Sequence, residues 1–141
     1  MEYDVESFVS VGSIRFGMTR EEVINIFGRE PVNEYKSWNN KTNLMYDDDN
    51  INIILNKKGV VDEITFTEGI NEIIFEGKSL FREKDIIKIL SSKEKPLISS
   101  GDIIFINVGI GFLQFKYKED RAITAFAKEL KNEYTKLLKE K

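Results

Sequence analysis

The stretch Phe16-Gly17-Met18-Thr19-Arg20-Glu21-Glu22-Val23-Ile24-Asn25-Ile26-Phe27-Gly28 writes a short helix together with both of its ends. Thr19 is the expected N-cap. Its hydroxyl can accept the Glu22 N–H while the Glu22 carboxylate reaches back to the Thr19 N–H, and Met18 can staple against Val23. Gly28 supplies a left-handed stop, and Pro31 bars continuation. The same apolar spacing returns 63 residues further on, where Ile86, Ile87, Ile89 and Leu90 take the places of Val23, Ile24, Ile26 and Phe27. A repeat of helix plus sheet is therefore expected.

Outward from this helix the chain reads as short strands. A strand at 9–16 leads into the helix. Strands at 34–38, 43–46, 50–56 and 60–67 follow it, divided by the turns Asn39-Asn40, Asp47-Asp48-Asp49 and Lys57-Lys58-Gly59. Turns this short imply antiparallel pairing. The alternation of Ile51/Ile53/Leu55 and Val60/Asp62/Ile64/Phe66 against their neighbours gives one buried face and one wet face. The second half repeats the order, with a strand at 72–76 and a helix at 81–90 stopped by Ser91-Ser92 and Pro96. Strands at 97–99, 102–108, 111–118 and 121–126 come next, with turns at Ser100-Gly101, Val108-Gly109-Ile110 and Lys118-Glu119-Asp120. A shift of 60 lays 56–66 over 116–126 and brings Ile64-Thr65 within one position of Ile123-Thr124. Differing loop lengths reconcile this offset with that of the helices, and the competing reading is a chance likeness between two α+β segments of similar size.

The final segment, 127–141, carries Leu130, Tyr134, Leu137 and Leu138 at the three-and-four spacing of an amphipathic helix. Ala122, Ala125 and Ala127 would also let that helix extend backwards through 121–126. The expected architecture is a single α+β domain over 1–141, with a first repeat at 9–67, a second at 72–126 and a closing helix at 127–141. The two halves would form one extended or split sheet.

Composition excludes several classes of function. A chain of 141 residues is one domain in size, and 41% hydrophobic with 32% charged residues is a globular rather than a disordered balance. The absence of cysteine removes disulfides, thiolate nucleophiles and thiolate metal sites, and fits a cytoplasmic protein. The acidic opening Met1-Glu2-Tyr3-Asp4-Val5-Glu6 is unlike an export signal. Apolar runs such as Ile103-Ile104-Phe105-Ile106 fall far short of the roughly 20 residues of a membrane helix, so no membrane partner is expected. A net charge of −3 without a dense Lys/Arg block argues against nucleic acid. The charge is divided unevenly: residues 1–70 carry 13 acidic and 7 basic side chains, and residues 71–141 carry 11 and 14. A positively charged partner is therefore expected on the first half.

Gly77-Lys78-Ser79 ends like a phosphate-binding loop, but Glu72 stands where the first glycine is required and would repel phosphates. Gly109-Ile110-Gly111 lacks the third glycine of a dinucleotide turn. Asp47-Asp48-Asp49-Asn50 offers oxygen ligands without the interleaving, central glycine or terminal glutamate of a calcium loop, where Lys58 stands instead. It reads as a solvated acidic turn or a partner-facing patch, and least as a metal site. Glu21 and Glu22 are explained by capping and the helix dipole. With neither histidine nor cysteine, most hydrolase and metalloenzyme templates fail, and a non-catalytic chain without cofactor or metal is expected. Glu34-Tyr35-Lys36-Ser37-Trp38 and Tyr46-Asp47-Asp48-Asp49 place aromatics beside charges, as protein interfaces do. The candidate partner-binding residues are thus Tyr35, Trp38, Tyr46, Asp47, Asp48 and Asp49, against the alternative that Tyr35 and Trp38 fill the sheet face under the first helix.

Ile14-Arg15-Phe16-Gly17-Met18-Thr19-Arg20-Glu21-Glu22-Val23, with Phe27-Gly28 and Pro31 after it, resembles the GMT-x-x-E-V opening of domains similar to β-lactamase inhibitory protein and to small outer-membrane assembly lipoproteins. The motif spans 14–31. The resemblance implies tandem helix-plus-antiparallel-sheet repeats whose curved sheet grips another protein, and the chain is also similar to small bacterial immunity proteins that neutralise a toxin. It departs from the lipoproteins in lacking a lipid-attachment cysteine and from the secreted inhibitors in lacking disulfides. Those departures imply an intracellular inhibitor whose acidic first half covers a basic toxin domain such as a nuclease. A second class is a ligand-sensing or envelope-associated domain whose export leader is missing from this sequence. A third is a small carboxylate enzyme, which would require two close acids in a concave pocket.

Overall fold

In the computed structural model, which describes residues 2–69, 71–115 and 121–139, Thr19 caps helix α1 (Arg20–Phe27) as its side chain dictates. The Thr19 hydroxyl accepts the Glu22 N–H, and the Thr19 N–H donates to the Glu22 carboxylate at 3.1 Å. Gly28 closes the helix at φ 72°, its N–H donating to the Ile24 carbonyl. Around α1 the chain runs β1 (Glu2–Glu6), β2 (Ser10–Val11), β3 (Ile14–Arg15), then β4 (Asn33–Lys36), β5 (Thr42–Tyr46), β6 (Ile51–Leu55), β7 (Val61–Thr67), β8 (Glu72–Phe75) and β9 (Lys78–Ser79). Helix α2 (Ile86–Ser91) precedes β10 (Leu97–Ser99), β11 (Asp102–Phe105), β12 (Ile110–Leu113), β13 (Ala122–Phe126) and α3 (Leu130–Lys139). The fold is α+β, dominated by two sheets and ended by a helix.

The larger sheet has the order β10-β11-β12-β13-β7-β6-β5-β4. Each half supplies a helix followed by a four-stranded antiparallel meander, and the last strands of the two meanders pair at the centre. Thr65 lies directly opposite Thr124 there, their hydroxyls 3.4 Å apart. Period-two alternation then aligns apolar rows across six strands. One row runs Leu44, Ile53, Ile64, Ala125, Ile110 and Phe105; the next runs Tyr46, Ile51, Phe66, Ile123, Phe112 and Ile103. Nearly all of these side chains are buried, and together they form the floor of the main core.

The second sheet, ordered β3-β2-β1-β8-β9, lies over that floor with α1 and α2. Tyr3 meets Phe66 at 5.1 Å between ring centroids, and Ile73 and Leu80 are fully buried. β1 and β8 pair in parallel, Tyr3 beside Ile73. Helix α3 covers the opposite face, where Leu130 and Tyr134 join Ile104 and Phe126 in a smaller cluster.

Several boundaries differ from the sequence expectations. The strand at 9–16 is two short strands reversed through Gly12, and residues 2–6, ahead of the first expected strand, form β1. The helix at 81–90 begins only at Ile86, because Leu80 and Phe81 are drawn into the core and the chain turns through 80–85 before straightening. Residues 106–109 turn instead of prolonging β11, with the Gly109 N–H donating to the Phe105 carbonyl. Residues 122–126 are a strand with all five side chains buried, not a backward extension of α3, because a central strand needs apolar residues toward both layers. The expected strand at 111–118 ends at Leu113, while 116–120, including the turn Lys118-Glu119-Asp120, lie outside the described residues. Gly77-Lys78-Ser79 forms no phosphate loop: Glu76 and Gly77, at φ 50° and 78°, turn the β8–β9 hairpin.

Gly109 combines a left-handed backbone with no room for a side chain. Its φ is 80°, and a Cβ would stand 2.8 Å from the Phe8 ring and 3.3 Å from the Phe126 carbonyl. Gly109→Ala is expected to destabilise the protein by about 2 kcal/mol, read as a lowered denaturation midpoint with unchanged slope.

Candidate protein-binding surface

The six residues singled out in the sequence do not form one site. Tyr46 ends β5 on the core side of the sheet and is fully buried, stacked on Phe27 at 3.8 Å between ring centroids. Its hydroxyl donates to the Arg29 carbonyl at 3.1 Å. Tyr46 is therefore a core residue that docks α1, and its expected place on a partner-facing surface is corrected. Its position in the row with Ile51 and Phe66 is the reason, since β5 must turn the same parity inward as Leu44.

Asp47, Asp48 and Asp49 form a single 3-10 turn after β5. Arg29 reaches across it, its guanidinium 2.9 Å from the Asp48 carboxylate and in contact with that of Asp49, so two of the three charges are already paired. These hydrogen bonds, to Asp48 first, hold the Arg29 pKa above its ordinary value. Asp47 is exposed and has no ion-pair partner among the described residues. Trp38 lies at the other end of β5, in the β4–β5 turn, and is 96% exposed. Tyr35, 46% exposed, stands on the edge strand β4 between them. The alternative that both fill the sheet face under the first helix does not hold.

Trp38 instead forms the rim of an open groove of about 1050 Å³ between the β4–β5 turn, the β6–β7 turn at Lys57-Lys58 and helix α3. Its floor is a buried polar network. A bulge makes Leu55 face Val61 while Ile54 faces Glu63, so Asp62 is the extra residue and leaves the apolar row that its parity would otherwise join. The Asp62 side chain is 6% exposed. Lys41 donates to its Oδ2 at 3.0 Å, whereas Oδ1 has no hydrogen-bond partner among the described residues. Burial pushes the Asp62 pKa up against the pull of Lys41. Beside it, Tyr134 and Thr124 both donate to Glu63 Oε2 at 2.6 Å. Burial, and then the Glu63 charge, hold the Tyr134 phenol protonated well above its usual range.

Sequence reasoning missed Lys41, Asp62, Glu63 and Tyr134 as a group. One signal was present: Asp62 interrupts the apolar set Val60, Ile64 and Phe66, and a carboxylate in a buried parity marks either a bulge or a partner. Among the described residues no three acidic side chains are gathered to hold a metal ion, and no helix is long and apolar enough to cross a membrane. Compared with family models, with curated proteins and with solved structures, the chain matches none of them.

Proposed function

We propose that this chain is a stoichiometric protein-binding module, an immunity-type inhibitor built from two related halves in the manner of β-lactamase inhibitory protein, that neutralises a basic toxin domain in the cytoplasm. The observation that carries the reading is Trp38. A lone tryptophan held 96% exposed on a turn, over a groove with a buried polar floor, is the form of an interface anchor. The identical order of helix and four-stranded meander in the two halves supports the tandem relationship. The acidic excess of residues 1–70 supports a basic partner, whose approach it would accelerate. Binding would be inhibition by coverage, with Trp38 as anchor and the exposed Asp47 as part of a charged rim.

The test is co-expression with the product of the adjacent gene, isolation of a one-to-one complex and calorimetry on Trp38→Ala. Affinity is expected to fall at least about thirtyfold, equivalent to about 2 kcal/mol, while the melting temperature stays at the parent value because the indole is not packed. Undiminished affinity in Trp38→Ala would remove this residue as the anchor, and failure to form a complex with a basic domain would remove the immunity reading.

A further inference from the structure

The open edge of the larger sheet has a register of its own. Ser37 donates its N–H to the Lys41 carbonyl, and Tyr35 faces Asn43, so the alternate pairs 37–41, 35–43 and 33–45 are the hydrogen-bonded ones. It follows that the N–H and C=O groups of Glu34 and Lys36 point away from the sheet. Among the described residues only the Glu34 N–H has a partner, the side-chain oxygen of the adjacent Asn33 at 2.9 Å, and all four residues of β4 are exposed. At the opposite edge, α3 packs on β10.

Sheet edges are commonly guarded by charges that repel another strand. Here the two outward-facing residues are of opposite sign and sit symmetrically about Tyr35. We infer that β4 pairs antiparallel with β4 of a second copy of this chain, about a two-fold axis through Tyr35, to make a continuous sixteen-stranded sheet.

The geometry selects this register. A hydrogen-bonded antiparallel pair needs two residues whose backbone groups both face outward, which Glu34 and Lys36 supply to each other in both directions for four hydrogen bonds, each Glu34 N–H exchanging the local Asn33 side-chain oxygen for a carbonyl of the second copy. Each Glu34 then lies opposite a Lys36 of the second copy. Lys36 makes no ion pair among the described residues of its own chain, while Glu34 is held in place by Arg20 at 2.6 Å. Tyr35 meets Tyr35 at the axis in the closer, non-hydrogen-bonded type of pair, where aromatic side chains gain most. Val32, 60% exposed, comes level with Trp38 of the second copy, while the groove side of that indole stays open. Shifting the pairing by two residues would lose both charge pairs, and a one-residue shift would set outward-facing groups against inward-facing ones.

Sedimentation of the full chain across a concentration series tests this, alongside Lys36→Glu and Tyr35→Cys. The parent chain is expected to pass from monomer to dimer. Lys36→Glu sets like charges opposite each other twice, should weaken dimerisation roughly tenfold to thirtyfold, and should regain part of it at high salt. Its melting temperature as a dilute monomer should match the parent, which separates lost pairing from lost folding. The chain has no cysteine, so Tyr35→Cys introduces a single thiol, and the close pair at the axis has the spacing of a disulfide. Oxidation should cross-link it far faster than Lys58→Cys, placed on the β6–β7 turn, away from the edge strand. A chain that stays monomeric at millimolar concentration overturns the inference. A dimer indifferent to Lys36→Glu, or one in which position 35 cross-links no faster than position 58, overturns it as well. Partner capture by Trp38 is read in a separate assay, so either result can fail without the other.

Discussion

Lys41→Met is expected to destabilise the protein by about 3 kcal/mol at neutral pH, because it leaves the Asp62 carboxylate buried without a counter-charge. Both partners are enclosed, with side chains 15% and 6% exposed, and Asp62 Oδ1 is already without a donor. Glu133, 3.8 Å from Lys41 and itself exposed, contributes little. The loss should depend on pH in a defined direction. Burial holds the Asp62 pKa above 3.8 in the folded protein, with Lys41 pulling it down, so removing Lys41 raises it further. Between the unfolded and folded pKa values the folded state binds more protons, and stability falls as pH rises through that window. The deficit of the variant relative to the parent should therefore be complete above the folded pKa and shrink as pH drops toward the unfolded value. Asp62→Leu combined with Lys41→Met should recover most of the loss. Urea denaturation at several pH values decides the matter; a deficit below about 1 kcal/mol, or one independent of pH, would show that water reaches the carboxylate.

Tyr46→Ala should have the larger effect, about 4 kcal/mol, since it empties a fully buried aromatic site. Tyr46→Phe should lose only about 1 kcal/mol, the hydrogen bond to the Arg29 carbonyl. The contrast between the two measures packing against polarity. Of the α1 residues only Val23 is fully buried, so the Phe27–Tyr46 stack is a principal tie between this helix and the sheet. Amide exchange within α1 should accelerate in Tyr46→Ala beyond the global change, and equal acceleration across the molecule would refute that local role. Any weakening of partner binding in Tyr46→Ala would accompany loss of structure, unlike that in Trp38→Ala.

The sequence was most informative where structure is decided locally. The Thr19–Glu22 box and Gly28 are a code within ten residues, and α1 has the expected bounds because its caps need nothing from the rest of the chain. The turns before β6 and β7 were likewise visible. β1 was hidden because the alternation of Tyr3 and Val5 lies within a run of acids and its partner β8 is 70 residues away. Tyr46 shares the buried parity of Leu44, and the three acidic residues that follow it mask that parity in the sequence. The Asp62 network required a bulge, and a bulge is a property of two strands, not of either alone. Trp38 was legible as a candidate, but its exposure depended on where β4 ended: two strand residues more would have set it back in the sheet, and the chain turns instead.

The central Thr65–Thr124 pair and the parallel seam between β1 and β8 join positions 59 and 70 residues apart. Neither half can therefore close its sheet while the other is disordered. A chain with the outline of two modules behaves as one cooperative unit, and its folding barrier is set by the search that brings these distant strands together, not by the quick winding of the capped helix.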